Sequence, residues 1–390
     1  MPSTLRSALV ERLRAAGTIS SAPVEAAFRT VPREHFMPPG TSLDMAYGPE
    51  NVVTKRDASG VAISSVTAAD VQAAMLEQAG LRPGMSVLEV GSGGLNAAMI
   101  AEIVGAAGRV TTVDIDPEVT ARATTMLADA GYADRVTVLT VDGDDAVPGV
   151  FDAIIVTVGA WDIAPAWLAQ LAPHGTLVVP LVMNGATRTI AFRRAGDHLL
   201  STSARVAGFV AMQGHGRHDE SRVEIGDAVT LRFDTAPPPH LDQLAGVLAT
   251  APAEAWSGVL FPDPMSWSDL YLWLAWHLPG FCRLAVGESS TLNAHARLFP
   301  VGAVHRRSLA LLRVRPAEHG IEFGALSFGR DGVAAAEAVV AEIRTWNRVS
   351  RPTGTPSFGY WPTGSDRSTI PSAATVMEKP HGTLAMTPKR

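Results

Sequence analysis

Cysteine is nearly absent from this chain of 390 residues: Cys282 stands alone, so no intrachain disulfide can form and packing must hold the fold together. It lies in an aromatic-rich run, where a buried inert thiol is expected. No run of about 20 apolar residues occurs, and the N-terminus lacks the basic-then-apolar order of a secretory signal. Together these point to a cytoplasmic protein without membrane contact. Positive charge is not in excess either. With 32 Lys and Arg against 38 Asp and Glu, the net charge is −6 and the isoelectric point about 6.0, so a nucleic-acid surface held mainly by electrostatics is not expected. Metal-ligand spacing is missing, because His215 and His218 flank Gly216-Arg217 without a partner pair, and no serine sits in a Gly-x-Ser-x-Gly elbow.

The most informative stretch is Val87-Leu88-Glu89-Val90-Gly91-Ser92-Gly93-Gly94-Leu95-Asn96, a buried-strand pattern breaking into a glycine loop before a helix-forming, alanine-rich segment. A dinucleotide fingerprint needs a third glycine five residues after the first, and Asn96 holds that place. Glu89, two residues before Gly91, fits the Glu-x-Gly-x-Gly arrangement of S-adenosylmethionine enzymes instead. The β-branched run 109–113 ends in Asp114, 23 residues beyond Gly91 and close to the offset of about 20 at which a second strand delivers a carboxylate to a ribose. A third strand over 136–141 closes with Asp142-Gly143, where a carboxylate could meet the adenine amino group, and a fourth spans 151–158. Cofactor contacts are expected from Glu89, Gly91, Ser92, Gly93, Asn96, Asp114, Ile115, Asp142 and Gly143. Any one of these acids alone reads as an ordinary loop carboxylate; their joint placement at successive strand ends argues for a site.

Strands alternating with helical segments at 117–130 and 167–171 predict a doubly wound, Rossmann-like α/β sheet with ligands at its carboxyl edge. Four units follow from composition: an N-terminal helical, substrate-side segment (1–65), a cofactor-binding domain (66–219), a smaller α+β domain (220–350) and a Pro-, Gly-, Ser- and Thr-rich tail (351–390) expected to be flexible. Residues 40–62 read as irregular, and later strands are expected at 176–181, 188–194 and 204–210. The dense aromatic cluster spanning 267–281 reads as a second core, or as an aromatic surface for a peptide.

Val31-Pro32-Arg33-Glu34-His35-Phe36, Ala62-Ile63-Ser64-Ser65, the glycine loop, Asp142-Gly143, the run 151–157, and Gln170-Leu171 followed by Gly175-Thr176-Leu177-Val178-Val179-Pro180 together resemble the protein L-isoaspartate O-methyltransferases over about residues 25–182. The resemblance implies S-adenosylmethionine as cofactor, an isoaspartyl carboxylate as acceptor, and Ser64 as the catalytic residue that aims it, with Ile63, Ser65, Thr67 and Val158 on the substrate side. Ser64 also reads as an N-cap for a helix near Thr67. The chain departs from the repair enzymes where Ser65-Val66-Thr67 follows the Ile-Ser motif in place of the usual residue and proline, where Asn96 replaces an aromatic, and in nearly 200 added residues. The added length, Trp161-Asp162-Ile163-Ala164-Pro165-Ala166-Trp167 and Gly208-Phe209-Val210-Ala211-Met212-Gln213-Gly214 resemble long variants linked to lanthipeptides and the FxLD system. That implies an aspartate of a modified, cyclic precursor peptide as substrate, its ester collapsing through a succinimide to isoaspartate. Isoaspartyl repair and a cofactor-binding scaffold remain the competing readings.

Overall fold

The computed structural model describes residues 2–239, 241–262 and 267–389. Three helices open the chain, α1 (Pro2–Ala15), α2 (Ala22–Thr30) and the short α3 (Leu43–Ala46), followed by a hairpin of β1 (Val52–Arg56) and β2 (Ala62–Val66). The segment expected to be irregular thus carries one turn of helix and a strand.

Next come α4 (Ala69–Ala79), β3 (Ser86–Val90), α5 (Leu95–Val104), β4 (Arg109–Asp114), α6 (Pro117–Asp129), β5 (Val136–Thr140), β6 (Phe151–Val156) and α7 (Pro165–Gln170). Local chemistry sets the helix ends. Asp116 caps α6 by accepting the Glu118 and Val119 N–H groups, with Pro117 pre-set at the first helical position, and α4 stops at Gly80 in the left-handed conformation. Long antiparallel strands β7 (Leu171–Met183), β8 (Ala186–Ala195) and β9 (His198–Val206) follow. The last ends at Val206, short of the strand expected over 204–210, because 209–212 leave the sheet to bond Gly159: the Gly159 N–H donates to the Val210 carbonyl and the Met212 N–H to the Gly159 carbonyl.

A second sheet contains β10 (Ser221–Glu224), β11 (Val229–Phe233), β12 (Ala253–Phe261), β13 (Phe281–Val286), β14 (Leu298–His305), β15 (Ser308–Ala317) and β16 (Gly320–Gly329), all antiparallel in the order β10-β11-β13-β14-β15-β16-β12. Helix α8 (Ser268–His277) lies between β12 and β13 in the chain, and α9 (Gly332–Val349) buries Ala336, Val339, Val340, Ile343 and Trp346 against the sheet. The aromatic cluster is core, shared between two bodies: α8 sends Leu272 and Ala275 into the first sheet's core and Leu270, Trp273 and Leu274 into the second's.

The tail corrects the sequence expectation. Strands β17 (Ser357–Pro362), β18 (Thr375–Lys379) and β19 (Gly382–Thr387) rejoin the first sheet, giving ten strands in the order β18-β19-β17-β9-β8-β7-β6-β3-β4-β5. Phe358, Tyr360, Trp361, Leu384 and Met386 are buried. These apolar groups sit in runs of only three or four between turn-forming residues, too short for composition to reveal as strands. Five parallel strands, β7-β6-β3-β4-β5, carry the doubly wound half, and the order reverses between β3 and β6. The crevice beyond the carboxyl ends at that reversal is where such sheets take ligands.

Candidate active site

At that edge lies a narrow cleft walled by Ile63, Val90, Gly91, Val113, Asp114, Ile115, Asp116, Val119, Gly143, Val158, Ala211, Met212 and Gln213. Six of the residues expected from the sequence therefore meet there: Ile63, Gly91, Asp114, Ile115, Gly143 and Val158. Gly91 turns the chain at φ +98°, and a Cβ on it would stand 2.6 Å from the Thr157 hydroxyl, which itself bonds the Val90 and Gly91 carbonyls. Gly93 differs. Nothing lies within 4 Å of a Cβ built there and its φ is not positive, so protein packing does not demand glycine, whereas close approach of a ligand would.

Asp114 ends β4 with one carboxylate oxygen accepting the Ser92 N–H at 3.0 Å and the other the Asp116 N–H at 2.9 Å. Burial pushes its carboxyl above the ordinary range against those two bonds. The Ser92 hydroxyl, 2% exposed, has no partner among the described residues. An acceptor carboxylate at the end of β4, with an unused hydroxyl and an open glycine just beyond the adjacent β3, fits a ribose-bearing cofactor.

Glu89 and Asn96 do not line the cleft. Glu89 is wholly buried and accepts from Thr112 Oγ1 at 2.5 Å and Asn96 Nδ2 at 2.8 Å; Asn96 in turn accepts from Gln72 Nε2, and Gln72 accepts from Arg33 Nη1 at 3.0 Å. This chain of bonds runs behind the glycine loop and ends at Arg33, 1% exposed, which also holds the Ala46 and Thr67 carbonyls. Burial pushes the Glu89 carboxyl up to about 7 and the Arg33 guanidinium down to about 10. The motif 31–36 thus supports the loop from beneath, and Phe36 lies 3.2 Å from where a Cβ on Gly94 would stand.

Asp142 also stands outside the cleft wall, its oxygens accepting the Asp144 N–H at 3.1 Å and the His215 N–H at 2.8 Å. Met212 and Gln213, on the crossing segment after β9, are cleft residues that the strand pattern gave no reason to select.

Ser64 sits in mid-strand on β2, where it accepts a 2.7 Å bond from the Thr54 hydroxyl on β1. It is not a helix cap: the N-cap position of α4 is Ala68. Because Thr54 supplies the proton in that bond, the Ser64 hydroxyl hydrogen is left to donate elsewhere. Of this strand only Ile63 lines the cleft; Ser64, Ser65 and Thr67 do not, Ser65 pairing with Val53 and Thr67 lying beyond β2 with its carbonyl on Arg33. Lys55 Nζ reaches from β1 to Asp116 at 2.6 Å and Glu118 at 2.7 Å, strapping the hairpin to the cleft rim.

The family model for protein-L-isoaspartate(D-aspartate) O-methyltransferases matches residues 4–215. The chain belongs to this family. A protein-L-isoaspartate O-methyltransferase of Hyperthermus butylicus is 38% identical over 194 residues, spanning 45% of this chain and 74% of that one. One from Pyrobaculum neutrophilum is 40% identical over 177 residues, 45% of this chain and 82% of its own. A solved protein-L-isoaspartate O-methyltransferase shares the fold at a TM-score of 0.50 and 22% identity, covering 63% of this chain and 91% of that chain. The protein is accordingly an S-adenosylmethionine-dependent (iso)aspartate O-methyltransferase. The second sheet and the tail strands lie beyond the matched region.

Proposed function

We propose that the chain methylates an isoaspartyl side-chain or α-carboxylate in a peptide, with Asp114, Ser92 and the 91–93 loop holding the cofactor and Ser64 aiming the acceptor. The observation that carries this reading is the Thr54–Ser64 bond, which leaves a hydroxyl hydrogen free on the hairpin that also puts Ile63 into the cleft wall. S-adenosylmethionine, when bound, supplies an electrophilic methyl group on a sulfonium. A carboxylate is ionised at neutral pH, with a reference pKa of about 4, so no general base is needed. The protein's task is alignment and exclusion of water, and orientation of that kind is worth up to about 7–11 kcal/mol in favourable cases. The methyl ester is then open to attack by the next backbone nitrogen, which expels methanol and leaves a succinimide that water opens to aspartate or isoaspartate.

A second reading is favoured by the added sheet: α8 joins it to the methyltransferase core, an arrangement suited to gripping one chosen aspartate in a conformationally fixed precursor peptide. Incubating the protein with the cofactor and three peptides, isoaspartyl, linear aspartyl and cyclic aspartyl, and following the mass gain of one methyl group separates the two. Methylation of the isoaspartyl peptide alone supports repair. Methylation of the cyclic aspartyl peptide alone supports precursor modification, and none on any peptide defeats both.

A further inference from the structure

A cavity of about 600 Å³ lies outside the cofactor cleft, between α4, β9, the start of α8 and the approach to β17. Its floor is a strand with one free edge. β17 pairs with β9 only at Leu199 and Leu200; at the next step the Phe358 N–H donates to the Ser201 side chain at 2.8 Å and not to the ladder. Thr202 bulges from the ladder, and from Ser203 to Val206 β9 is paired with β8 alone among the described residues. Thr202, Arg205 and Val206 are exposed, Val206 at 57%. Open strand edges are templates for another extended chain, and proteins normally cover or blunt them. Here the edge lies along a groove walled by α4, the start of α8 and the residues before β17.

Two connections tie the groove to the cleft. At one end of β9 the chain runs from Ala207, in the groove, to Ala211 and Met212, in the cleft wall. On the other side α4 contributes Asp70 and Ala74 to the groove and follows the Ser64 strand after two residues. Arg188 lines the groove while 2% exposed. It is held by the Ser268 carbonyl at 2.7 Å and Asp269 at 3.3 Å, and its Nε–H has no acceptor among the described residues. A buried donor left unused is destabilising, and a carbonyl oxygen in the groove would satisfy it after a small shift.

We infer that this groove binds an extended segment of the substrate peptide, flanking the acceptor residue, by backbone pairing to the free edge of β9. The inference rests on peptide carboxyl methylation as the reaction. Main-chain pairing supplies affinity with little dependence on sequence, and α8 and the residues before β17, all outside the family match, make the far wall.

The test compares a six-residue isoaspartyl peptide with one extended by eight residues, each also made with alternate N-methylated backbone nitrogens in the extension, on the full chain. The long peptide should show a KM at least tenfold below the short one and should slow hydrogen exchange at the amides of 202–206. N-methylation should remove both effects. Thr202→Trp and Thr355→Trp, filling the groove from opposite walls, should raise KM for the long peptide tenfold while leaving cofactor affinity and short-peptide kinetics unchanged. Equal KM values for the two peptides, or unprotected 202–206 amides with the long peptide bound, overturn the groove. If neither peptide is methylated, the reaction assignment fails, and protection of 202–206 by the long peptide still decides the groove on its own.

Discussion

Ser64, Asp114 and Glu89 show three relations between a residue type and its surroundings. Ser64→Ala should lower kcat while leaving cofactor affinity intact, and Thr54→Val should lower it less, since it frees the Ser64 oxygen without removing the donor; steady-state kinetics beside calorimetry checks both. Asp114→Ala should weaken cofactor binding by about 1–3 kcal/mol, read by calorimetry on protein with an unchanged circular dichroism spectrum. Glu89 makes a pH prediction. Its folded carboxyl is raised to about 7 from an ordinary 4.5, so the folded state holds the proton more tightly and stability falls as pH rises between those values. The full span amounts to at most about 3 kcal/mol. Urea unfolding at pH 5 and pH 8 should show this loss in the native chain and a flatter profile in Glu89→Gln. Asp114 was legible in the sequence because a carboxylate closing a strand has only the sheet edge to occupy. Spacing alone places Glu89 and Asn96 beside the loop but does not say whether a side chain faces a ligand or the polar network behind it, and the bonds from Thr112 and Gln72 that hold them come from other elements. Met212 and Gln213 were missed because their place depends on backbone bonds to Gly159, formed by residues about 50 positions away.

Among the elements, the β1–β2 hairpin carries Ser64, Thr54 and Ile63 yet belongs to neither large sheet. Its tether is Lys55, whose partners Asp116 and Glu118 stand at the start of α6. Lys55→Met should speed hydrogen exchange across 52–66 and lower kcat/KM without a measurable change in melting temperature, because partly exposed ion pairs stabilise little and are screened by salt. High salt should move the native protein's exchange toward the variant's. Helices α4 and α6 and strands β5 and β8 fell near their expected places because periodicity and capping chemistry act locally. The tail strands did not, because Phe358-Gly359-Tyr360-Trp361 and Leu384-Ala385-Met386 become strands only through partners far along the chain: β17 lies on β9, and β19 on β17.

At the scale of the whole molecule, the second sheet is inserted between strands of the first, and α8 packs into both cores. A chain ending at residue 350 should therefore lose the methyltransferase fold and not merely a flexible end, since Phe358, Tyr360, Leu384 and Met386 are part of the first sheet's core. Differential scanning calorimetry should show no cooperative transition for it. Tyr360→Phe is the gentler probe. It removes the 2.7 Å bond to Asp162, whose other oxygen accepts the His381 N–H, and should cost about 1–2 kcal/mol in urea unfolding.

The return of the tail to the first sheet also has a consequence for biosynthesis. β9, the earlier of the two strands that β17 meets, is complete at residue 206, but β17 itself begins at residue 357. At about 5–20 residues per second the nascent chain waits roughly 10–30 s with the whole edge of β9 bare, while the seven-stranded sheet is made and folds as a loop between the two halves. The start of α8 thus stands beside that edge before its partner strand exists, and the arrival of β17 covers it only at Leu199 and Leu200.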